Sequence, residues 1–203
     1  MGALRLAVFA SGQGTNFQAL ADAVQQGRLD ATIELLVCDR PSAPVIERAQ
    51  RAGVETFVFK PKDYPSREAY EREIRAELEK RGVELIVLAG YMRILTAELV
   101  EPYYGRMINI HPSLLPAFPG VNGIGQALGY GVKVTGVTVH YVDGGLDSGP
   151  IIAQSIVEVQ DGDTEETLAE RIHAAEQQLL PRVTQLIAQG RVAIDGRKVT
   201  VRQ

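Results

Sequence analysis

The stretch LRLAVFASGQGTNFQALADAVQQG, residues 4–27, decides the fold. Its first part, 4–10, is an apolar run that predicts a buried strand, and 14–27 predicts a helix beginning near Thr15 or Asn16. A short glycine-containing loop joins the two. A strand, a tight turn and a helix in direct succession are typical of the first unit of a parallel α/β sheet.

The same alternation continues to residue 90. Apolar runs predict strands at 32–39, 54–59 and 83–90, and the segments between them predict helices at 44–53 and 66–82. Ser66 is a suitable N-cap for the second of these helices. Continuously apolar strands joined by crossover helices indicate a doubly wound, mostly parallel sheet with helices on both faces.

The second half of the chain departs from this alternation. Its predicted elements are strands at 106–110, 133–142 and 150–159, a long helix at 164–190 and a hairpin at 192–201. The glycine-rich segment 143–149 between two β-branched runs favours a hairpin-like pair. Pro181 is expected to kink or divide the long helix. We therefore predict an α/β fold with a C-terminal antiparallel part.

Composition narrows the class of protein. The chain has 203 residues, 45% hydrophobic and 23% charged, with a net charge of −4, which weighs against nucleic-acid binding. The absence of an apolar run of about 18 residues predicts a cytoplasmic protein without a membrane span. Cys38 is the single cysteine, so no internal disulfide can form. We expect an inert core thiol, with a reactive thiol as the alternative.

The first glycine loop, FASGQGTN at 9–16, is suited to bind an anion. Gly12 and Gly14 allow a sharp turn, and the N–H groups that begin the following helix then face outward. Thr15 and Asn16 add side-chain donors. We predict a phosphate site here, while a tight turn without a ligand remains the alternative.

A dinucleotide site is a weaker interpretation of the same loop. The G-x-G-x-x-G fingerprint requires a third glycine where Phe17 stands. Asp39, at the end of the second strand, has the position of a ribose-binding acid. A nucleotide-binding oxidoreductase therefore stays open.

The stretch INIHPSLLPAFPG, residues 108–120, places two polar side chains at the end of an apolar strand. Side chains two apart on a strand share a face, so Asn109 and His111 point the same way while Ile108 and Ile110 point into the core. The proline that follows cannot donate a ladder hydrogen bond and should end the strand. An amide and an imidazole are thus predicted to face one cleft.

Asn109 and His111 are suited to acyl chemistry. An amide N–H and an imidazolium stabilise an oxyanion, and the imidazole is also a general acid for a leaving nitrogen. A third group is expected, a carboxylate that orients the histidine and favours its charged form. Asp147 is the candidate and Asp143 its rival. A purely structural role for His111 remains the alternative.

Five segments of the chain carry a resemblance to a known family. They are FASGQGTNFQAL (9–20), SREAYERE (66–73), IVLAGYMRIL (86–95), NIHPSLLPAFPG (109–120) and LDSGPIIAQ (146–154). In this order they resemble the folate-dependent formyltransferases, and among them the purine-pathway branch. The resemblance implies a Rossmann-like formyltransferase fold in a single domain, 1–203, with a phosphate- or nucleotide-binding lobe (1–100) and a folate-binding, catalytic lobe (101–203).

The resemblance also implies an activity. It is formyl transfer from 10-formyltetrahydrofolate to the amine of glycinamide ribonucleotide in purine biosynthesis, through a tetrahedral intermediate. A formyltetrahydrofolate hydrolase is the alternative from the same family. The implied partners are small-molecule substrates only, with no metal, nucleic acid or membrane, for a monomer or homodimer.

The resemblance assigns roles residue by residue. The implied catalytic residues are Asn109, His111 and Asp147. The implied ribonucleotide ligands are Gly14, Thr15, Asn16, His173 and Glu176, with Glu176 facing the glycine amine. The implied folate ligands are Arg67, Met92, Arg93, Ile94, Leu95, Asn109, Asp143, Gly144, Gly145 and Leu146.

One segment departs from the family pattern. Where the family usually has a His-x-His-Arg-like sequence, this chain has Val-Asn-Gly-Ile-Gly at 121–125. Since two histidines and a basic residue are replaced, partly by glycine, we expect a more mobile loop and an altered substrate affinity. A non-catalytic folate or phosphate binder stays open on this ground.

Overall fold

The computed structural model describes residues 2–202, in which strands and helices alternate through the first half of the chain. The strands are β1 (Leu4–Phe9), β2 (Ala31–Cys38), β3 (Thr56–Val58), β4 (Leu85–Leu88), β5 (Met107–His111), β6 (Val134–Tyr141), β7 (Ile151–Glu158), β8 (Val192–Asp195) and β9 (Lys198–Val201). The helices are α1 (Thr15–Gln25), α2 (Val45–Arg51), α3 (Arg67–Lys80), α4 (Ala97–Val100), α5 (Gly123–Tyr130) and α6 (Glu165–Ala188), with one 3₁₀ turn at Pro61–Asp63.

Seven of the strands form one sheet, in the order β3-β2-β1-β4-β5-β6-β7. β1 to β5 are parallel, and β6 and β7 are each antiparallel to the strand before them. The predicted mostly parallel sheet with an antiparallel part is confirmed. The chain runs outward from β1 to β3 and returns to β4 on the other side of β1. The carboxyl ends of β1 and β4 therefore flank a switch point, where open α/β sheets bind ligands.

The sheet is buried on both faces, as the continuous apolar runs indicate. On β1, Leu6 and Val8 belong to the core cluster that packs against α1 and α6, while Ala7 and Phe9 belong to the cluster beneath α3. All four side chains are fully buried. Burial of a large apolar side chain contributes about 1.5–3 kcal/mol. Helices on both faces of the sheet are thus confirmed.

The long helix α6 is not divided at its proline. It begins with a reciprocal capping box between Thr164 and Thr167 and continues without a break through Pro181. Leu180 and Val183, on either side of the proline, are fully buried against the sheet. This packing outweighs the one hydrogen bond that proline removes, so the predicted division is wrong. Among the described helices, α6 included, none is long and apolar enough to cross a membrane.

The final hairpin predicted from its Asp-Gly turn is confirmed. Asp195 pairs with Lys198 across a two-residue turn, and Gly196 has a φ of 56°. Positive φ is the conformation that this class of turn requires.

Cys38 is fully buried at the end of β2, and its thiol donates a hydrogen bond to the carbonyl of Arg40 at 3.3 Å. Burial raises the pKa of this thiol. A buried thiol with a raised pKa is a poor nucleophile, which supports the interpretation as a core residue.

Candidate active site

Asn109 and His111 lie at the carboxyl end of β5, in the middle of the mixed part of the sheet. Ile108 and Ile110 are buried in the core on the opposite face, as the alternation predicts. The strand ends at His111, immediately before Pro112. The expectation of an amide and an imidazole on one face at a strand end is confirmed.

His111 faces the carboxylate of Asp147. Its Nδ1 lies 3.5 Å from Asp147 Oδ2, with the His111 side chain buried and the Asp147 side chain 12% exposed. Its Nε2 lies 2.8 Å from the carbonyl oxygen of Phe118, in the proline-rich loop 112–120. The Nε2–H donates to that carbonyl, so Nδ1 is the nitrogen left for proton transfer. The N–H of Gly120 donates to Asp147 Oδ2 at 2.7 Å and fixes the carboxylate.

The proline-rich loop is held in place by side chains of the sheet as well as by its prolines. The hydroxyl of Thr138 donates to the carbonyl of Ser113 at 2.7 Å and accepts from the N–H of Leu115 at 3.1 Å. Gln154 donates to the carbonyl of Leu115 at 2.9 Å, and the hydroxyl of Ser113 closes the turn onto Ala117. The loop that positions the imidazole is therefore anchored to β6 and β7.

His140 on β6 completes the cluster, and sequence reasoning missed it. It stands opposite Asn109 in the β5–β6 register, with 3.2 Å between Asn109 Nδ2 and His140 Nε2. Its Nδ1 donates to the carbonyl of Tyr141 at 2.8 Å, and burial lowers its pKa. A neutral imidazole with its proton on Nδ1 accepts from Asn109 through Nε2. The second amide N–H of Asn109 is thus oriented, and no residue that the structure describes accepts it.

The choice between the two candidate carboxylates follows from their contacts. Asp143 accepts hydrogen bonds from the N–H of Gly145 at 2.9 Å and from the hydroxyl of Ser148 at 2.7 Å. Burial opposes the ionisation of Asp143, but these hydrogen bonds outweigh it and lower its pKa. Asp143 therefore orders its own loop, and Asp147 is the carboxylate beside His111.

The first glycine loop has the geometry that the sequence indicates. Gly14 is the N-cap of α1 with a φ of 75°, and a Cβ at this position would lie 2.4 Å from Val45 Cγ2. Both the backbone conformation and the close contact require glycine. Thr15 is exposed at the first residue of the helix, and Asn16 is buried. The loop thus presents the N-terminus of α1 at the switch point.

The structure brings Asn16, His173 and Glu176 together. Asn16 Nδ2 donates to Glu176 Oε2 at 3.2 Å, and His173 Nδ1 lies 3.0 Å from the same oxygen. The hydrogen bond to Glu176 raises the pKa of His173 above its usual value. The Oδ1 of Asn16 is buried and has no hydrogen-bond partner among residues 2–202. The amide oxygen of Asn16 is therefore a buried acceptor without a donor, next to the carboxylate of Glu176.

Asp39 is fully engaged by the protein. Ser11 Oγ donates to its Oδ1 at 2.5 Å, and Arg93 Nε donates to its Oδ2 at 2.8 Å. Its side chain is completely buried. A ribose hydroxyl therefore has no access to this carboxylate, which removes the feature that favoured a nucleotide-binding oxidoreductase.

The predicted folate residues lie on two loops at the same edge of the sheet. Met92 and Ile94, after β4, are exposed, and Leu95 packs against the core. Asp143, Gly144, Gly145 and Leu146 form the loop after β6, and the exposed Leu146 lies close to Gly120.

Arg67 is exposed at the first residue of α3. One turn further, the buried carboxylate of Glu71 accepts from the N–H and the hydroxyl of Thr96 at 3.0 and 2.6 Å. Burial raises the pKa of Glu71. The beginning of α3 therefore flanks segment 92–95, which places Arg67 on the same side of the molecule.

The segment that departs from the family pattern, 121–125, begins a helix. Asn122 is the N-cap of α5, with a φ of 56° and its Oδ1 accepting from Gly125 N–H at 3.2 Å. The expectation of a loop is wrong from Gly123 onward, because buried apolar residues of α5 stabilise the helix despite its glycines. A Cβ on Gly123 would lie 3.3 Å from His111 Nε2. The glycine thus allows close packing beside the imidazole.

The fold is that of a doubly wound α/β protein, and an imidazole, a carboxylate and an amide lie at the carboxyl end of β5, next to the strand that borders the switch point. The model of the family described as Formyl transferase matches residues 4–184, which include every site residue named above. The chain belongs to this family.

The chain is similar to several proteins that are named for the same activity. The chain is 51% identical over 179 residues to phosphoribosylglycinamide formyltransferase of Bacillus subtilis (strain 168), covering 88% of this chain and 92% of that protein. It superposes on glycinamide ribonucleotide transformylase 1 from Symbiobacterium toebii with a TM-score of 0.97, at 45% identity over 100% and 96% of the two chains. The corresponding enzyme from Geobacillus kaustophilus gives 0.90 at 57% identity, over 92% and 99%.

Proposed function

We propose that this protein transfers the formyl group of 10-formyltetrahydrofolate to the amine of glycinamide ribonucleotide in purine biosynthesis. The observation that carries the proposal is the cluster of Asn109, His111 and Asp147 at the end of β5. It occurs in a chain that aligns over most of its length with phosphoribosylglycinamide formyltransferases. The roles below are proposals for the residues of this chain.

The phosphate of the ribonucleotide binds at the N-terminus of α1. This helix has 11 residues, so its first N–H groups carry a partial positive charge. Gly14 gives the loop the positive φ and the close packing on Val45 that bring it to the start of α1, and the exposed Thr15 adds a hydroxyl donor. This assignment follows the anion-site geometry of the loop.

The amine end of the ribonucleotide binds beside Glu176. The Glu176 carboxylate and the unpartnered Oδ1 of Asn16 are adjacent acceptors, and an amine supplies N–H donors. A buried acceptor without a partner costs about 1–3 kcal/mol, which a bound donor recovers. His173 holds the Glu176 carboxylate from the exposed side.

The folate binds between segment 92–95 and the loop 143–147. Backbone groups of both loops are suited to the polar edge of the pterin, and the exposed Met92 and Ile94 to its apolar surface. Arg93 is suited to a carboxylate of the folate glutamate. The formyl group then lies at the end of β5.

Asn109 and His111 stabilise the intermediate. The substrate amine attacks the formyl carbon, a C–N bond forms, and negative charge develops on the formyl oxygen. The free N–H of Asn109 and the Nδ1–H of protonated His111 donate to this oxyanion. Removal of one such donor typically costs about 10²–10³ in rate.

His111 and Asp147 then carry out the proton transfers. The bond between the formyl carbon and the folate nitrogen breaks, and His111 Nδ1–H protonates the leaving nitrogen. The attacking nitrogen loses one proton, which Asp147 helps to carry to His111 through water and so restores the imidazolium. The products are tetrahydrofolate and the N-formyl ribonucleotide. Asp147 stabilises the charged imidazole throughout, since an opposite charge lies within 4 Å.

The test is to mix the purified protein with 10-formyl-5,8-dideazafolate, with and without glycinamide ribonucleotide, and to follow folate absorbance. We expect turnover only with the ribonucleotide, and loss of turnover in His111→Ala and Asp147→Asn. Asp161→Asn is the matched control, because Asp161 is fully exposed and its one ion pair within the described part of the chain is with Lys133. Deformylated folate without the ribonucleotide would mean a hydrolase, and binding without turnover would mean a non-catalytic binder.

A further inference from the structure

Asp39 is a buried carboxylate that the proposed reaction does not use. It lies at the carboxyl end of β2, with its side chain completely buried, while the Arg93 side chain that pairs with it is 41% exposed. Burying a carboxylate is costly unless charged and hydrogen-bonded partners compensate it. Arg93 and Ser11 provide these partners. The guanidinium is thus paired with a buried carboxylate on one side and exposed to solvent on the other.

The hydrogen bond to Asp39 uses only one edge of the guanidinium. Arg93 donates to Asp39 through Nε at 2.8 Å. The two Nη nitrogens remain, and they are the pair that a substrate carboxylate engages in a bidentate contact. Since a guanidinium is planar, fixing Nε fixes the direction of both Nη groups.

Ser11 links Asp39 to the backbone of the segment after β4. Its hydroxyl donates to Asp39 and accepts from the N–H of Met92 at 2.9 Å. Its own N–H donates to the carbonyl of Gly90 at 3.0 Å. The ends of β1 and β2 and the segment after β4 are therefore joined through Asp39.

The far end of the same segment has its own anchor. Glu71 accepts from the N–H and the hydroxyl of Thr96. Segment 92–95 is thus fixed at both ends, while the side chains of Met92 and Ile94 remain exposed. Such an arrangement presents a rigid backbone and a directed cation to a ligand.

We propose that Asp39 is a positioning residue for folate binding, which orients the guanidinium of Arg93 directly and the N–H of Met92 through Ser11. The proposal rests on the proposed function, since it assigns the ligand of segment 92–95 as the folate. It predicts that Asp39 acts on folate affinity and leaves the ribonucleotide and the chemical step unaffected.

The test measures the Kd of 5,8-dideazafolate, which carries no formyl group, with Asp39→Asn, Arg93→Ala and the double variant. We expect Asp39→Asn to raise the Kd by about tenfold, the size expected for a lost charged hydrogen bond. In the Arg93→Ala background the same substitution should change the Kd by less than about threefold, because the guanidinium that Asp39 orients is absent. For Asp39→Asn alone, the KM for the ribonucleotide and the kcat at saturating donor should stay within about twofold of the values for the unsubstituted protein.

A second readout does not depend on folate. The Nε–H of Arg93 should give a slowly exchanging nitrogen-15 NMR signal, which Asp39→Asn removes and the control Asp161→Asn retains. Ser11→Ala keeps the ion pair and should retain the signal while weakening folate binding. If Asp39→Asn does not fold, Ser11→Ala still tests the path through Met92.

The outcomes separate the two proposals. The positioning role would be overturned if Asp39→Asn raised the folate Kd equally with and without Arg93. It would also be overturned if the Nε–H signal of Arg93 were retained in Asp39→Asn. An unsubstituted protein that does not bind the folate would overturn the proposed function, while the NMR signal would still decide whether Asp39 orders Arg93.

Discussion

Two carboxylate–histidine pairs of the molecule, His173–Glu176 and His111–Asp147, differ in distance, burial and origin. His173 and Glu176 are three residues apart on one helix, 3.0 Å from each other, with the imidazole half exposed. His111 and Asp147 come from a strand and a distant loop. Their closest nitrogen–oxygen distance is 3.5 Å, and their side chains are only 6% and 12% exposed. One pair is local and closely bound, and the other is assembled by the tertiary fold and looser.

The difference teaches how each pair is suited to its role. In the helical pair the imidazole is committed to its carboxylate, which suits a fixed binding surface. In the strand pair the Phe118 carbonyl holds Nε2, and Nδ1 lies 3.5 Å from Asp147, a distance that suits the proton exchange with a substrate that we propose. The looser contact is therefore the one expected at the reacting atoms.

The largest predicted effect is the loss of the strand pair. His111→Ala should lower kcat by about 10³-fold or more, because a general acid and an oxyanion donor are lost together. The Kd values of both substrates should change little. Steady-state kinetics together with direct binding checks this.

His173→Gln is the matched comparison in the helical pair. It should raise the KM for the ribonucleotide and leave kcat within a few-fold. A similar kcat loss in both variants would erase the functional distinction between the pairs.

A smaller effect is predicted for His140. His140→Leu should lower kcat by about tenfold to a hundredfold, because the Asn109 amide loses the acceptor that orients it. The effect should vanish in the Asn109→Ala background, which a double-variant cycle measures. Additive losses would show that His140 acts through stability instead.

The pKa of His173 tests the helical pair directly, and this measurement does not depend on the rate of the reaction. Its pKa is raised by the hydrogen bond to Glu176, so NMR should give a midpoint above the usual histidine value and Glu176→Gln should lower it. The stabilisation from this pair is fully present below about pH 6.5, the unfolded-state value, and is lost as the pH rises through the folded-state pKa. A midpoint unchanged by Glu176→Gln would contradict the pairing.

The smallest predicted effect is at Gly123. Gly123→Ala adds a Cβ at 3.3 Å from His111 Nε2, so the imidazole must shift by a few tenths of an ångström. We expect kcat to fall a few-fold, while the free energy of unfolding changes by less than about 1 kcal/mol, because alanine also favours the helix. Unchanged kcat would mean that the imidazole tolerates the contact.

Local patterns in the sequence predicted most of the fold. Apolar runs marked every strand, and the spacing of Asn109 and His111 placed both on one face. Helix α5 was missed because its sequence, GIGQALGY, has three glycines and low helix propensity, and burial against the rest of the protein determines it. The continuity of α6 through Pro181 likewise depends on packing that no local pattern contains.

The site was predictable only as far as its local parts. The residue types beside His111 left Asp143 and Asp147 open, since the choice depends on how a distant loop folds onto β5. His140 was missed and Asp39 was given another role for a related reason. The signal available for His140 was a lone histidine in an apolar strand, but its partner depends on the register between β5 and β6. The anchor of Asp39 joins three strand ends that are distant in sequence.

The most direct measurement follows a carbon-13 label in the formyl group of 10-formyltetrahydrofolate. The donor is incubated with the protein and glycinamide ribonucleotide, and NMR identifies the labelled product. Transfer by Asn109, His111 and Asp147 predicts that the label appears as the formamide of the ribonucleotide, at a rate that His111→Ala abolishes. Label recovered as free formate, or as the formamide at an unchanged rate in His111→Ala, would contradict it.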